Sequence, residues 1–346
     1  MTSKPSGALQ QALRHIAAGE SLSGEQAAAA FNAVMAGEAT GPQLGALLMG
    51  LRVKGETAVE LTGAARALRS AMTALITASP GELVDTCGTG GGAMTTFNIS
   101  TAAALLAAGA GVRVAKHGNR SATTRSGSAD VLEALGVAID VPLDHMGEVL
   151  DRAGIVFMFA PTMHPAMRHV GPARREMAIE TLMNLVGPLA NPAGAGRQVI
   201  GVASPARLEL MAGALQGLGT THSLVVHGEP GMDEISPIGL TTVIELRGAA
   251  LTRWILDPAE FGFSGMKAED LAGGEPEENA ALIEQVLAGG GPPAAEAAIL
   301  LNAAGAIYVS GMAPTYPAAV NVARKALQSG AGSAALARLR AAAPHG

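Results

Sequence analysis

The sequence predicts an α/β protein with a small all-helical N-terminal domain and a larger α/β domain that has a mostly parallel central sheet. The first eighty residues carry helical signals alone, whereas short β-prone segments alternate with helical ones beyond Pro80. A chain of 346 residues allows two domains, and an apolar content of 49% provides a sizeable core. We therefore expect a helical domain at residues 1–80 and an α/β domain at residues 81–346.

The composition excludes several classes of protein. Only 15% of the residues are charged, which argues against a disordered chain, and the 45 glycines lack the period of collagen. The single cysteine, Cys87, forbids a disulfide within the chain and suits a reducing compartment. The N-terminus has no apolar segment typical of a signal peptide, and Asn302 and Gly305 interrupt the apolar stretch after Glu296. We expect that stretch to be a buried helix rather than a membrane span, in a cytoplasmic protein.

The helices of the first domain are predicted by three capping boxes. In each, a hydroxyl side chain at the N-cap is followed three residues later by Gln or Glu, just before an apolar run with helical spacing. The pairs are Ser23 with Gln26, Thr40 with Gln43, and Thr57 with Glu60.

The remaining elements are predicted from apolar runs and their spacing. The expected strands are Leu83–Thr86, Val112–Ala115, Ile155–Phe159, Gln198–Val202, Ser223–His227 and Thr241–Leu246. The expected helices between them include Thr101–Ala108, Ala129–Leu135 and Leu208–Leu218, and those of the last quarter are Pro276–Leu287, Ala294–Tyr308 and Pro317–Ser329.

A glycine-rich segment, Asp85–Gly92, follows the first expected strand and precedes Asn98–Thr101, which opens a helix. Glycines let a backbone approach a ligand closely, and a helix N-terminus favours an anion. No G-K-[ST] follows, so the segment is not a Walker loop, and it lacks the G-x-G-x-x-G dinucleotide pattern. It indicates phosphate chemistry without indicating an NTPase or a dehydrogenase.

Charge patterning also favours an anionic ligand. The net charge is −6, yet there is no acidic residue between Asp85 and Asp130 or between Asp151 and Glu176. Each stretch carries four Lys or Arg residues, which predicts positive potential around an anion. The basic residues are Arg113, Lys116, Arg120 and Arg125 in the first stretch, and Arg152, Arg168, Arg174 and Arg175 in the second.

An acidic pair, Asp233 and Glu234, follows the expected strand Ser223–His227. Adjacent carboxylates at a strand end can hold Mg²⁺, with substrate phosphates and waters completing its coordination. Covalent catalysis has no support in the sequence, because Cys87 ends an apolar strand and no G-x-S-x-G motif is present. The histidines do not form a zinc pattern.

These motifs, in their order and spacing, resemble the anthranilate phosphoribosyltransferase family. The resemblance spans nearly the whole chain and rests on Asp85–Gly91, Phe97–Thr101, Lys116–Arg120, Ser126–Asp130, Asn184–Pro188 with Asn191 and Pro192, and Gly231–Glu234. It implies a pentosyltransferase of tryptophan biosynthesis. The implied substrates are anthranilate and 5-phosphoribosyl-1-diphosphate (PRPP), which would bind in a cleft between the domains. It also implies that helices from about residues 165–195 join the helical domain, through which a homodimer forms.

The resemblance further implies roles for individual residues, none of which is a catalytic acid, base or nucleophile. Mg²⁺ would be held by Ser100, Asp233 and Glu234, and anthranilate by Gly88, His117, Asn119 and Arg174, with Arg174 facing its carboxylate. PRPP would be contacted by Gly88, Gly91, Gly92, Thr96, Asn98, Ile99, Ser100, Thr101, Lys116, His117, Gly118, Asn119, Arg120, Ser121, Ala122, Thr123, Thr124 and Ser128.

The sequence departs from the family pattern at three places. The glycine run usually contains Gly-Gly-Asp-Gly, but Gly92 stands here in place of the Asp. A usual Ser-Ser pair is Thr123-Thr124, and a frequent Arg-Thr-x-Phe-Asn is Glu180-Thr181-Leu182-Met183-Asn184. We expect these changes to affect the geometry of the site rather than the reaction.

Two other functions compete with this one. A pyrimidine nucleoside phosphorylase shares the general fold, but its Gly/Ser-Arg-rich segment is missing here. A non-enzymatic relative could bind nucleic acid in the basic cleft, but the net charge is negative and only 3% of the residues are aromatic. We expect no nucleic acid and no membrane among the partners.

Overall fold

A computed structural model describes residues 7–121 and 125–343 of the chain. Helices occupy both ends of this range, and strands alternate with helices between them, as the sequence predicts. The α-helices are α1 Gly7–Ala17, α2 Gly24–Met35, α3 Gly41–Lys54, α4 Ala58–Ser70, α5 Ile99–Gly109, α6 Ser128–Ala134, α7 Leu143–Ala153, α8 Ala160–Met163, α9 Gly171–Met177, α10 Met183–Val186, α11 Leu208–Gly217, α12 Pro276–Leu287, α13 Pro293–Ser310, α14 Tyr316–Gln328 and α15 Ala331–Ala342. The strands are β1 Val84–Gly88, β2 Val114–Gly118, β3 Ile155–Phe159, β4 Arg197–Gly201, β5 His222–Gly228, β6 Thr241–Arg247 and β7 Ala250–Leu256.

Within the described residues, the strands form one sheet in the order β3-β2-β1-β4-β5-β6-β7. Strands β1 to β5 are parallel, and only β6 and β7 run antiparallel to their neighbours, so the expectation of a mostly parallel sheet is confirmed. The carboxyl ends of the five parallel strands consequently meet at one edge. Gly88 at the end of β1, for example, pairs in register with Gly201 at the end of β4.

All three capping boxes are confirmed. In the box of α4, the Thr57 hydroxyl accepts from the Glu60 backbone N–H at 3.2 Å, and the Glu60 carboxylate accepts from the Thr57 backbone N–H at 2.9 Å. Glu60 is buried, and its carboxylate also accepts a hydrogen bond from the backbone of Leu22. Glu60 therefore helps to begin α4 and also links this helix to Leu22, 38 residues earlier in the sequence.

The sequence-based expectations omit several elements, among them β7, α7 and α15. Strand β7 lies at the sheet edge and exposes Leu251 and Ile255, so it lacks the apolar run of a buried strand. Helix α7 buries only a narrow stripe, and α15 follows α14 after a short turn at Gly330. The expected helix after Glu296 is confirmed as α13, whose side chains are largely buried inside the protein although its length and composition could cross a membrane.

Two apolar clusters occupy the two faces of the sheet. Alternate residues of a strand point to opposite faces, and in β4 Val199 belongs to one cluster whereas Ile200 belongs to the other. The first cluster is built around α5 and α13. The second contains α11, helices α1 to α4, and apolar residues between positions 166 and 190. The N-terminal helices thus pack on the sheet through α11.

Helices α2 and α4 approach so closely that Gly63 is required in α4. A Cβ atom at position 63 would lie 2.6 Å from the Cβ of Ala27 and 2.8 Å from the backbone oxygen of Gly24. Gly147, in the middle of α7, has open space at the same position.

We expect Gly63→Ala to lower the free energy of unfolding by ~1–3 kcal/mol, because the added methyl group overpacks backbone atoms of α2. The matched control Gly147→Ala should raise it by ~0.5–1 kcal/mol through helix propensity alone. Urea denaturation of both variants tests this packing, and a stabilising effect at both positions would contradict it.

Candidate active site

The glycine-rich loop after β1 lies against the acidic segment that follows β5. Gly90 and Gly91 have φ angles of +71° and +79°, which non-glycine residues rarely adopt. The Gly90 amide donates a hydrogen bond of 2.8 Å to the Asp233 carboxylate. A Cβ atom at Gly88 would lie 2.2 Å from the same carboxylate, so this contact requires glycine.

Asp233 and Glu234 are partly buried, and neither carboxylate forms an ion pair with a lysine or arginine in the described part of the chain. Besides the Gly90 amide on Asp233, the Thr96 hydroxyl donates to Glu234 at 3.4 Å. Burial raises the pKa of both groups, and the neighbouring charge of Asp233 raises the pKa of Glu234 further. Two acidic groups that burial destabilises in this way fit a site for a divalent cation.

The three residues predicted as Mg²⁺ ligands line one small cavity near the carboxyl ends of the central strands. Ser100 reaches it from the first turn of α5, and Asp233 and Glu234 reach it from the segment after β5. Thr86 and Asn302 also line this cavity. The three predicted ligands supply two carboxylates and a hydroxyl, which suits Mg²⁺, since that ion usually keeps waters and substrate oxygens among its ligands.

Lys116 of β2 brings a positive charge beside this cavity. Its side chain is buried, and its ammonium group donates to the Thr86 carbonyl oxygen at 2.6 Å and to the Ser100 hydroxyl at 3.3 Å. Burial lowers the pKa of Lys116, and the charge of Asp85 opposes that shift. A buried ammonium group at the N-terminus of α5 strengthens the positive potential that the helix already provides.

The side chain of Asp85, in β1, holds β2 beside β1. Its carboxylate accepts from the His117 amide at 3.2 Å and from the Asn191 side chain at 2.8 Å. The Asn191 amide also donates to the Ala115 carbonyl oxygen at 2.8 Å. Asn191 was noted in the sequence as part of a motif, but its contact spans 106 residues and only the folded chain reveals it.

The loop after β2 is tied at its base by Asp130. This carboxylate accepts from the amides of Ser121 at 3.0 Å and Gly127 at 2.8 Å, and from the Arg120 guanidinium at 2.9 Å. Arg120 also forms a two-pronged ion pair with Glu133. The expected PRPP contacts Ala122, Thr123 and Thr124 lie outside the described residues.

Two further PRPP candidates, Asn119 and Ser128, face each other across the same loop. The Asn119 backbone N–H donates to the Ser128 hydroxyl at 3.1 Å, and that hydroxyl donates to the Asn119 backbone carbonyl oxygen at 3.2 Å. Gly118 is required beside them, since a Cβ atom there would lie 2.1 Å from the Ser128 hydroxyl.

Arg174 and His117 are two of the residues expected to bind anthranilate, and they lie on different elements of the fold. Arg174 lies on α9, is half-buried, and its side chain has no ion pair within the described ranges. Burial lowers its pKa. His117 packs against His164 with 4.9 Å between ring centroids. Burial lowers the pKa of His117 to about 3 and that of His164 to about 4, so both rings are neutral at pH 7.

Several residues of this site carried no functional signal in the sequence. Gly201 is one, because a Cβ atom there would lie 1.5 Å from the Asp233 carbonyl oxygen. Asn279 is another, since its side chain donates to the Asn98 side chain at 2.9 Å across 181 residues. The Asn98 side chain also bonds to Ser126. These residues touch the predicted motifs only in the folded chain.

Comparisons with known proteins agree with this architecture. Residues 10–72 match the model of the helical bundle domain of a glycosyl transferase family, and residues 80–333 match the model of its a/b domain. The anthranilate phosphoribosyltransferase of Rubrobacter xylanophilus is 50% identical over 330 residues, which cover 95% of this chain and 96% of that protein. The protein of the same name from Symbiobacterium thermophilum is 45% identical over 328 residues, which cover 95% of this chain and 96% of that protein.

Solved structures of proteins with the same name share this fold. The anthranilate phosphoribosyltransferase of Thermus thermophilus superposes with a TM-score of 0.90 at 43% identity, covering 96% of this chain and 98% of that one. The enzyme of Saccharomyces cerevisiae in complex with PRPP and Mg superposes with a TM-score of 0.86 at 26% identity, covering 98% of each chain. On these grounds, the chain belongs to the anthranilate phosphoribosyltransferase family.

Proposed function

We propose that this protein transfers the phosphoribosyl group of PRPP to the amine of anthranilate and releases diphosphate, in the biosynthesis of tryptophan. The observation that carries this function is the meeting of three groups at one edge of the sheet. These are a glycine-rich loop, a helix N-terminus with the buried Lys116, and the carboxylates of Asp233 and Glu234. Such a combination suits a diphosphate bound together with a divalent cation.

The cation in this proposal is Mg²⁺, held by Ser100, Asp233 and Glu234. Support comes from the two adjacent, partly buried carboxylates, whose pKa values are raised by burial and which line the same cavity as Ser100. A yeast relative is known in complex with PRPP and Mg. When bound, Mg²⁺ would neutralise negative charge that develops on the departing diphosphate.

The residues of this chain supply binding and orientation. The glycine-rich loop and the start of α5 would hold the diphosphate by backbone N–H groups. The ammonium group of Lys116, which bonds to Ser100 in the first turn of α5, would add positive charge. Arg120 would have to exchange its carboxylate partners, Asp130 and Glu133, to reach a phosphate. The other PRPP candidates from Thr96 to Ser128 stay in the proposal with the roles that the sequence predicts.

Anthranilate would bind on the side of the cleft that carries Arg174. The half-buried guanidinium lacks a carboxylate partner in the described chain, and a substrate carboxylate would provide one. The neutral ring of His117 would lie beside the aromatic ring of the substrate, with Gly88 and Asn119 nearby. Because an arylamine is already a neutral nucleophile at pH 7, orientation suffices and no strong general base is required.

We also propose a cytoplasmic homodimer that forms through the helical domain, composed of residues 1–80 and the helices from about residues 165–195. On α3, Met49 and Val53 lie one turn apart and are 46% and 79% exposed. An apolar stripe of this kind on an exposed helix fits a contact with a second copy of the chain.

The reaction itself is tested by the loss of anthranilate fluorescence in the presence of protein, PRPP and Mg²⁺. We expect a decay that EDTA abolishes. No decay with folded protein would refute the function. Phosphorolysis of uridine or thymidine would then indicate a nucleoside phosphorylase, and salt-sensitive binding of an oligonucleotide without turnover would indicate a nucleic-acid-binding relative.

Gly92→Asp tests the missing carboxylate in the glycine run. A Cβ atom at position 92 would lie 3.4 Å from the Asp233 carboxylate, so the new side chain would add negative charge beside the proposed cation site. We expect the Mg²⁺ concentration at half-maximal rate to fall by about tenfold, because added ligand charge strengthens cation binding. Gly92→Asn, which adds the same bulk without charge, is the control. Identical Mg²⁺ titrations of wild type and Gly92→Asp would contradict the expectation.

Arg174→Ala tests the site for the substrate carboxylate. The KM for anthranilate should rise by about ten- to a hundredfold, the size of a lost hydrogen bond between charged groups, whereas the KM for PRPP should change little. Arg175→Ala removes an exposed guanidinium from the same helix and should leave both constants near wild type. Equal increases in the two KM values for Arg174→Ala would assign Arg174 to structure or to phosphate binding.

A further inference from the structure

Asn302 is a buried amide within the apolar helix α13. The residue is 6% exposed, and its neighbours on both sides, Leu301 and Ala303, are completely buried. Its side-chain oxygen accepts from the Ile235 amide at 3.0 Å. Its side-chain nitrogen donates to the carbonyl oxygens of Ile235 and Ala298, both at 2.9 Å. Both N–H groups of this amide are therefore used, and two of its three bonds hold a single residue elsewhere in the chain.

That residue, Ile235, comes directly after the acidic pair. Asn302 binds both its backbone N–H and its backbone C=O, which is how a neighbouring strand would hold it. The Ile235 side chain is itself completely buried. The backbone immediately after Glu234 is thus fixed to α13 by a side chain 67 positions later in the sequence.

On its other side, the acidic segment packs against glycines at two strand ends. A Cβ atom at Gly201 would lie 1.5 Å from the Asp233 carbonyl oxygen, and one at Gly228 would lie 2.5 Å from the Glu234 carbonyl oxygen. The backbone of the pair therefore sits between β4 and β5 on one side and the Asn302 amide on the other. This leaves the segment little freedom to move.

Such an anchor matters because the two carboxylates repel each other. They are adjacent and partly buried, and no lysine or arginine of the described chain pairs with either. A segment held only by its own hydrogen bonds would relieve this repulsion by moving a carboxylate toward water. Asn302 lines the same small cavity as Ser100, Asp233 and Glu234, so its amide acts where the displacement would occur.

We propose that Asn302 is a positioning residue for the proposed cation site: its amide clamps the backbone of Ile235 and so holds the Asp233 and Glu234 carboxylates in place to bind the cation. This inference rests on the proposed function, because the cation is the one expected to accompany PRPP. Asn302 acts through the backbone of the acidic segment. Partners that orient the ligands of a metal commonly change its affinity by about ten- to a hundredfold when they are removed.

The test measures binding of Mn²⁺, a paramagnetic substitute for Mg²⁺, by electron paramagnetic resonance with PRPP present. The variant is Asn302→Leu, which keeps the volume of the side chain and removes all three hydrogen bonds. We expect the Mn²⁺ dissociation constant to rise by about ten- to a hundredfold. At saturating Mg²⁺ and PRPP, the KM for anthranilate should stay near wild type, because the Asn302 side chain bonds only to Ile235 and Ala298 among the described residues. The matched control is Val309→Ala, a cavity-forming change two turns further along α13 that leaves the Asn302 amide intact.

The control separates positioning from general stability. Val309→Ala should lower the unfolding temperature and leave the Mn²⁺ affinity unchanged. If Asn302→Leu binds Mn²⁺ as tightly as wild type, the proposed role of Asn302 is overturned. If Asn302→Leu does not fold, the smaller change Asn302→Ser is measured instead. Weaker Mn²⁺ binding by Asn302→Ser then supports the proposed role of Asn302, and binding as tight as wild type overturns it. If wild-type protein with PRPP binds no Mn²⁺, the proposed function fails and the inference fails with it.

Discussion

The close approach between the glycine-rich loop and the acidic segment is the constraint on which the rest of the site depends. The Gly90 amide bonds to the Asp233 carboxylate, and Gly88 and Gly201 leave room for that residue where any Cβ atom would collide. Two partly buried carboxylates are thereby held at the carboxyl ends of β1, β4 and β5. Without glycine at these strand ends, the acidic segment could not reach the loop that it faces.

Buried charge is balanced over several elements of the fold. Lys116 donates to a strand carbonyl and to the Ser100 hydroxyl, whereas Asp85 is held by the His117 amide and by Asn191. Burial lowers the pKa of Lys116 and raises that of Asp85, and each charge partly offsets the shift of the other. Within the residues that the structure describes, no lysine or arginine pairs with Asp233 or Glu234, and this imbalance is the physical reason why a cation and an anionic substrate would bind there together.

Side-chain amides hold the loops of the site from a distance. Asn302 fixes the acidic segment, Asn279 bonds to Asn98 near the start of α5, and Asn191 joins Asp85 to β2. An amide can accept and donate at once without adding charge, so it can clamp a backbone beside ionised groups. The C-terminal helices α12 and α13 thus contribute to a site whose recognisable motifs all lie earlier in the chain.

The sequence by itself determined the elements whose causes are local. Capping boxes such as Thr57 with Glu60 begin helices at the expected residues, and apolar runs such as Ile155–Phe159 mark the parallel strands because their side chains are buried on both faces. The motifs around Gly88, Lys116 and Asp233 also indicated a phosphate and a cation, since glycine, basic and acidic residues follow strand ends. The sequence did not predict strand β7, because an edge strand needs no continuous apolar run.

Only the tertiary structure decided which of those signals act together. The contact of Asn302 with Ile235 spans 67 residues, and the pairing of the His117 and His164 rings joins β2 to the short helices after β3. Neither leaves a periodic pattern in the chain, because a hydrogen bond or ring contact between distant segments requires only one suitable side chain at each end. The residues of each loop determine the local chemistry of that loop. The elements that pack around the loop determine its position.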